Sequence, residues 1–171
     1  MAETIFIDKN LSDGKIYESI LPQIDSLLNA EEPLISSLSN VTAALKEAFE
    51  KISWVGFYIS KGDKLFLGPF QGKVACTVIN VGNGVCGTAA LKKETIIVED
   101  VDKFPGHIAC DSGSKSEIVV PLIVNGKVIG VLDLDSYQYS AFNNTDKKYL
   151  EMLCFILVNR LKLEKAIQLL I

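Results

Sequence analysis

The sequence predicts an α+β domain in which helices at both ends of the chain flank a central antiparallel sheet. Apolar residues recur at helical spacing near both termini, and short β-rich runs separated by turn residues fill the middle. The chain has 171 residues, of which 49% are hydrophobic, and both values suit a single hydrophobic core. We therefore expect one domain over residues 1–171.

Two helices are predicted before the sheet. In the first, apolar residues recur at helical spacing from Tyr17 to Leu28. Pro22 lies inside this stretch and should either kink the helix or mark its true start, because proline lacks the backbone N–H donor. The second pattern runs from Ile35 to Phe49, and Pro33 lies in the break between the two patterns.

The last predicted helix has a similar apolar stripe, from Leu150 to Leu161. Three polar residues before it are candidates for its N-terminal cap: Asn143, Asn144 and Thr145. Met152 and Phe155 make a second face of this helix apolar, which an isolated domain would struggle to cover. This second face indicates a homodimer formed through the terminal helices.

Six runs with strand-like composition lie in the middle of the chain: Ser53–Ser60, Lys64–Leu67, Val74–Ile79, Thr95–Val98, Glu117–Val124 and Lys127–Asp135. Asn125-Gly126, between the last two runs, is a strong hairpin signal because both residues tolerate positive φ. The run 117–124 is apolar at nearly every position, so we expect it to be a central strand covered on both faces.

The charge balance and the apolar patterning exclude several classes of protein. The 17 Lys and Arg residues against 21 Asp and Glu residues give a net charge of −4, without the basic run that nucleic acid or an anionic membrane would attract. No uninterrupted apolar stretch reaches the length of about 18 residues that a membrane span needs. The first residues also lack the pattern of a signal peptide, so we expect a cytoplasmic protein.

Residues 82–87 match G-x-G-x-x-G, the pattern of a dinucleotide-binding turn. The dinucleotide-binding fold needs further βα units after this motif, whereas a predicted hairpin follows it here. We therefore interpret these residues as a glycine-rich turn that leads into a helix.

The four cysteines favour redox chemistry over metal binding. They are separated by 10, 24 and 44 residues, without a C-x-x-C pair, so we do not expect a zinc site. Cys154 falls on the apolar stripe of the last helix, where a cysteine usually packs in the core. Cys76, Cys86 and Cys110 lie in Gly-rich or turn-flanked surroundings and are candidate redox thiols. The lone histidine, His107, could be a base or a positive neighbour that activates Cys110. We favour a loop residue held by backbone hydrogen bonds, because backbone amides or a helix N-terminus can also activate a thiol.

Three acidic residues lie at strand positions where buried apolar residues are expected. Asp133 and Asp135 share one face of a strand, and Glu117 begins the preceding strand. A two-residue turn would place Glu117 opposite Leu134, whereas a one-residue bulge would place it opposite Asp133, so that all three acids converge. Converging acids would bind a cation such as an α-ammonium group, and their repulsion would raise one pKa and keep a proton available.

Two aromatic residues, Trp54 and Tyr58, lie four positions apart on one predicted strand and therefore on the same face. They could form the wall of a pocket for an apolar or sulfur-containing group. Paired aromatic residues on a strand are also common in hydrophobic cores, so the sequence alone leaves both interpretations open.

Several long segments resemble the free methionine-R-sulfoxide reductases, and they occur in the order typical of that family. These segments are Trp54–Tyr58, Leu67–Cys76, Gly84–Ala89, Phe104–Ser112, Ser116–Leu122 and Gly130–Ser136. The resemblance implies the GAF fold, an antiparallel sheet with helices packed on it, and hence a single GAF domain.

The resemblance also implies a reaction. The thiolate of Cys110 would attack the sulfur of free methionine-R-sulfoxide, while one of the three acids protonates the oxygen. Methionine would leave, and Cys110 would become a sulfenic acid. A second thiol would condense with it; the resemblance favours Cys76 for this role, with Cys86 as the alternate.

The resemblance extends to substrate binding and to the reductant. Trp54 and Tyr58 would hold the methyl-sulfoxide end, and Glu117, Asp133 and Asp135 would select the free amino acid by its α-ammonium group. No bound cofactor is expected, and thioredoxin or a glutaredoxin-like dithiol would reduce the disulfide. The alternative function is a non-catalytic GAF sensor that binds a small molecule in the same pocket.

Overall fold

A six-stranded antiparallel sheet forms the centre of the computed structural model, which describes residues 4–108 and 110–163. The strands are β1 (Trp54–Lys61), β2 (Lys64–Gln71), β3 (Val78–Asn80), β4 (Ile96–Val98), β5 (Ser116–Val124) and β6 (Lys127–Ser136). Their order across the sheet is β3-β2-β1-β6-β5-β4, so the hairpins β1–β2 and β5–β6 meet at its centre. The predicted α+β class is confirmed, and the run 117–124 is an interior strand, β5, which is paired on both sides.

Four α-helices pack on this sheet: α1 (Asp13–Leu27), α2 (Leu34–Ala48), α3 (Gly84–Lys92) and α4 (Asn144–Arg160). Helices α1, α2 and α4 share one hydrophobic core with one face of the sheet. Helix α3 packs with a second, smaller cluster on the opposite face. A 3-10 helix, Val101–Lys103, follows β4. We call the two sides of the sheet the helix face and the pocket face.

Helix α1 continues through Pro22, so the alternative in which this proline begins the helix is wrong. Ile20, Leu21 and Ile24 are buried on both sides of the proline, and their packing outweighs the lost backbone hydrogen bond. The cap of α4 lies among the predicted residues: the Asn143 side chain accepts from the backbone N–H of Thr145 at 2.7 Å. Asp146 completes a capping box with the Asn143 N–H.

The third strand is shorter than the sequence predicts. Residues 74–77 are not part of β3, and Val74 is 88% exposed, so the apolar run is not buried as a strand. Side chains of β1 hold this segment instead, because they donate hydrogen bonds to the carbonyl groups of Lys73 and Cys76. Cys76 therefore lies in a loop between β2 and β3.

Residues 82–87 form the turn into α3 that the sequence predicts. Gly82 has a φ of +93°, which favours glycine. A Cβ at Gly87 would collide with the carbonyl oxygen of Asn80, so only glycine fits this close approach. The glycines thus have a structural explanation.

The predicted second apolar face of α4 faces outward. Phe155 is 70% exposed and Met152 is 45% exposed. Across the residues that the structure describes, we find no helix with the combined length and hydrophobicity of a membrane span. The predicted domain, 1–171, extends beyond the described residues at both ends.

Candidate active site

Three carboxylates lie together on the pocket face. Neither predicted register of Glu117 is correct, because an extra residue of β6, Ile129, bulges between Val128 and Gly130. This bulge pairs Glu117 with Asp135. Asp133 lies two residues before Asp135 on β6, so its side chain is on the same face of the sheet. The predicted convergence of Glu117, Asp133 and Asp135 is confirmed, since all three line one cavity.

Burial dominates the electrostatics of these acids. It raises the pKa of Asp133 to about 7, although hydrogen bonds with Cys86 and Glu117 act in the opposite direction. The pKa values of Glu117 and Asp135 are raised well above their usual range, first by burial and then by the neighbouring charge of Asp133. The cluster therefore retains protons near neutral pH and would release them on meeting a positive charge.

One carboxylate oxygen of the cluster is unsatisfied. Asp133 is 6% exposed, and its Oδ1 atom has no hydrogen-bond partner among the residues that the structure describes. A buried acceptor without a donor is costly, because it loses its water without replacement. An ammonium group in the cavity, with three N–H donors, would satisfy this oxygen.

Two candidate thiols are joined at the cavity. Cys76 and Cys110 form a disulfide across 34 residues of sequence, with their Cα atoms 5.5 Å apart. Cys110 lines the cavity together with the three acids. This pairing is the one that the resemblance favours.

The other two cysteines are free, buried thiols. Cys86 follows the predicted glycine-rich turn, but it is not an accessible redox thiol: it belongs to the first turn of α3 and packs in the pocket-face cluster. Burial and the charge of Asp133 raise the pKa of the Cys86 thiol well above its usual range, so this thiol is neutral. Cys154 packs in the helix-face core, as its position on the apolar stripe predicts.

Trp54 and Tyr58 lie on the pocket face and line the cavity, with their ring centroids 6.1 Å apart. Each has a second contact that the sequence did not predict. Trp54 Nε1 donates to the Lys73 carbonyl oxygen at 3.0 Å, and the Tyr58 hydroxyl donates to the Cys76 carbonyl oxygen at 3.0 Å. The two aromatic side chains therefore form the cavity wall and also fix the loop that carries Cys76.

His107 contributes its ring to the cavity, in addition to the predicted backbone bond from its N–H to the Phe104 carbonyl. Its Nε2 atom lies 3.9 Å from Glu117 Oε2. Burial lowers the pKa of His107, more than offsetting the effect of Asp102, so the ring is neutral near pH 7. A neutral ring does not supply a fixed positive charge to Cys110.

Sequence reasoning missed two polar residues of the cavity, Asp111 and Ser114. Ser114 forms a hydrogen bond with Asp135 that lowers the pKa of this acid and so acts against its burial. Both residues lie in an irregular loop without periodicity. The one sequence feature that could have indicated them as cavity residues is their closeness to Cys110 in the chain.

The cavity also brings together atoms that could hold a metal ion. Cys86 Sγ and one carboxylate oxygen each from Glu117 and Asp133 lie within 4.8 Å of one another. Two hard oxygen ligands and one soft sulfur ligand would suit a divalent cation such as Zn²⁺. A metal ion and an ammonium group would both draw on these two carboxylates, so the two cations would compete.

Comparison with known proteins identifies the family. A GAF domain model matches residues 36–159. The chain is 46% identical over 160 residues to the free methionine-R-sulfoxide reductase of Saccharomyces cerevisiae (strain ATCC 204508 / S288c), covering 89% of each chain. It belongs to the free methionine-R-sulfoxide reductases.

Two further proteins are similar to this chain over nearly all of its length. The solved structure of the free methionine-R-sulfoxide reductase from Neisseria meningitidis, in complex with its substrate, matches with a TM-score of 0.87 and 45% identity, over 98% of this chain and 100% of that one. GAF domain-containing protein A of Dictyostelium discoideum is 52% identical over 160 residues, covering 93% of this chain and all of the relative. The GAF domain match includes every residue of the cavity.

Proposed function

We propose that this protein reduces free methionine-R-sulfoxide to methionine by thiol chemistry at the cavity on the pocket face. The observation that carries the proposal is one cavity lined by both the Cys110 half of a disulfide and three carboxylates, of which Glu117 and Asp133 are buried. A thiol couple supplies two electrons, and the acids supply a cation site and a proton source. Reduction of free methionine-R-sulfoxide requires two electrons, a site for its ammonium group and a proton for its oxygen.

The acids would bind the α-ammonium group of the substrate. Glu117 and Asp133 are each 6% exposed, so a cation there would be held in a medium of low dielectric. The unsatisfied Asp133 Oδ1 atom would accept one of its N–H donors. A methionine sulfoxide residue within a peptide has a neutral amide with one N–H in place of the ammonium group, so it would leave the buried carboxylates without a countercharge.

The reaction would begin at Cys110. In the reduced enzyme its thiolate attacks the sulfoxide sulfur, and the oxygen takes up a proton as negative charge develops on it. The oxygen then transfers to the Cys110 sulfur, which gives methionine and a sulfenic acid. The sulfur of the substrate is reduced by two electrons, and the sulfur of Cys110 is oxidised by two.

The proton would come from the acid cluster. Asp133, with a pKa of about 7, is protonated in a large share of molecules at neutral pH. Glu117 and Asp135, whose pKa values are also raised, hold further protons in the same cavity. Binding of the ammonium group would favour ionisation of these acids and so make a proton available at the moment of reaction.

Cys76 would complete the turnover. Its thiolate attacks the sulfenic sulfur of Cys110, water leaves, and the disulfide forms. Cys86 is a less suitable partner because it is neutral and buried beside Asp133. Thioredoxin, or a glutaredoxin-like dithiol, would then reduce the disulfide by thiol exchange.

Further parts of the proposal concern assembly and location. The exposed side chains of Met152 and Phe155 on α4 support a homodimer formed through the terminal helices. We place the protein in the cytoplasm, where reducing dithiols are available to recycle the disulfide, and we treat residues 1–171 as one GAF domain.

A coupled assay tests the function. Purified protein with thioredoxin, thioredoxin reductase and NADPH should oxidise NADPH when free methionine-R-sulfoxide is added, and much less with the N-acetylated substrate. No turnover with any dithiol, or equal turnover of both substrates, would contradict the proposal. If instead the protein is a sensor, it binds the ligand without turnover and Cys110→Ser leaves that binding unchanged.

A further inference from the structure

A polar cluster next to the disulfide connects the two loops that carry Cys76 and Cys110. It consists of Lys73, Asp111 and Tyr137, and we call it the Lys73–Asp111–Tyr137 cluster. Lys73 precedes Cys76 by three residues, and Asp111 directly follows Cys110. Tyr137 directly follows β6. Each cysteine loop thus contributes one member, and the end of a central strand contributes the third.

The carboxylate of Asp111 is the centre of this cluster. Its Oδ2 atom accepts a hydrogen bond from the Tyr137 hydroxyl at 2.7 Å and lies 3.2 Å from Lys73 Nζ. Its Oδ1 atom accepts from the backbone N–H of Gly113 at 2.9 Å, which closes a turn in its own loop. Lys73 Nζ also lies 5.1 Å from the centroid of the Tyr137 ring. Asp111 is therefore restrained from three directions.

The backbones on both sides of the cluster are fixed to the sheet. Trp54 and Tyr58 of β1 hold the Lys73 and Cys76 carbonyl groups. Tyr137 continues from β6, the neighbour of β1 in the sheet. The contact between Lys73 and Asp111 thus joins a loop anchored on β1 to a loop anchored on the end of β6, and the two sulfur atoms lie within these loops.

We propose that the Lys73–Asp111–Tyr137 cluster is a positioning device for disulfide closure, a role that rests on the proposed function. In that step the Cys76 thiolate attacks the sulfenic sulfur of Cys110. The S–S bond forms, the S–O bond breaks, and the oxygen leaves as hydroxide that takes a proton to become water. The cluster holds the two loops at the separation at which the attacking sulfur reaches the sulfenic sulfur.

The exposure of the cluster suits an effect on rate more than on stability. The Lys73 side chain is 65% exposed, and exposed ion pairs contribute little to folding and weaken with salt. Small displacements of reacting groups, by contrast, change rates strongly. The cluster should therefore matter for closure and very little for the fold.

Single-turnover kinetics can separate the two chemical steps. Reduced protein is mixed with one equivalent of free methionine-R-sulfoxide; methionine release reports the first step, and loss of dimedone-reactive sulfenic acid reports closure. Lys73→Met and Tyr137→Phe, which both keep the Asp111–Gly113 turn, should release methionine at the wild-type rate but close the disulfide about tenfold more slowly. Lys73→Arg, which keeps the positive charge, should close the disulfide at nearly the wild-type rate. High salt should lower the closure rate of the wild type toward that of Lys73→Met.

A matched control is Lys103→Met, which removes another exposed lysine paired with an aspartate: Lys103 Nζ lies 2.8 Å from Asp100, and its side chain is 82% exposed. This variant should behave as the wild type in both steps. Wild-type closure in Lys73→Met, or equal slowing of both steps, would overturn the proposal. If the wild type releases no methionine, the proposed function fails, and closure after oxidation by hydrogen peroxide still tests the cluster.

Discussion

The two faces of the central sheet are built from the same strands and serve different purposes. On the helix face, the central strands contribute a continuous set of apolar side chains to the core: Val55, Phe57, Ile59, Ile118, Val120, Leu122, Leu132 and Leu134. On the pocket face, the alternate positions include the aromatic pair and the three carboxylates. Each strand thus contributes to stability with one set of side chains and to the proposed chemistry with the other.

The difference shows where polar groups are tolerated in a buried sheet. Asp133 retains an unsatisfied oxygen and a strongly raised pKa, which a fold selected for stability alone would avoid. The apolar packing of the helix face against α1, α2 and α4 stabilises the fold and offsets the free-energy cost of this buried carboxylate. A buried, costly cluster beside a well-packed core is typical of a binding site.

The largest expected effect contrasts the thiols of the two faces. Cys110→Ser should lower kcat/KM at least about 10³-fold, because a hydroxyl is a far weaker nucleophile than a thiolate. Cys154→Ser, the same substitution in the helix-face core, should keep the activity and lower the free energy of unfolding by about 1 to 3 kcal/mol. The coupled assay and urea unfolding measure the two quantities. Activity lost equally in both variants would break the comparison.

The next effect contrasts two adjacent residues of β6. Leu132 faces the helix-face core and Asp133 the cavity. Leu132→Ala should lower the free energy of unfolding by about 2 to 5 kcal/mol and leave kcat/KM of the folded protein nearly unchanged. Asp133→Asn should lower kcat/KM about 10²-fold without loss of stability at pH 8. Loss of kcat/KM in Leu132→Ala, or loss of stability alone in Asp133→Asn, would contradict the separate roles of the two faces.

The third effect is a pH dependence confined to the pocket face. The pKa of Asp133 is about 7 in the folded protein and about 4 in an unfolded chain. Between these values the folded state binds the extra proton, so the free energy of unfolding falls as the pH rises from 4 to 7. Between pH 5 and pH 8 the loss should be about 2 to 3 kcal/mol, and Asp133→Asn should reduce it. Urea unfolding at pH 5 and pH 8 measures this decrease in the free energy of unfolding. The same decrease in Asp133→Asn as in the wild type would show that it does not come from Asp133.

The smallest effect concerns the anchor of the Cys76 loop. Tyr58→Phe removes the hydrogen bond to the Cys76 carbonyl and keeps the ring. The free energy of unfolding should fall by about 1 kcal/mol. Tyr139, which is 56% exposed, offers a matched control in Tyr139→Phe, where no measurable change is expected. Equal stability of the two variants would show that the anchor is not needed.

Local patterns in the sequence predicted most of the fold. Helices α1, α2 and α4 and the long strands have clear periodicity, because their packing depends on one repeating face. Val74–Ile79 misled the prediction, since its apolar residues belong mostly to a loop held by Trp54 and Tyr58, a tertiary contact. The register of Glu117 depended on a bulge at residue 129, which no local signal marks.

The site was predictable where chemistry restricts the residue type. Acids within an apolar strand and thiols in turns are unusual enough to be recognised in the sequence, and the resemblance to the family implied a role for each of them. Lys73, Asp111 and Tyr137 are common surface residues, so their contacts could not be predicted before the fold brought three distant segments together. The burial of Cys86 is not visible in the sequence, because the packing of α3 depends on the sheet beneath it.

One single-turnover experiment tests the central claim, that the pocket face binds free methionine-R-sulfoxide through its acids and reduces it through Cys110. Reduced protein is given an excess of substrate without reductant, and its peptides are then mapped under non-reducing conditions. We expect about one methionine released per chain and a linked pair of peptides containing Cys76 and Cys110, with little of either from the N-acetylated substrate. No methionine, a link through Cys86, or equal reaction of both substrates would contradict it.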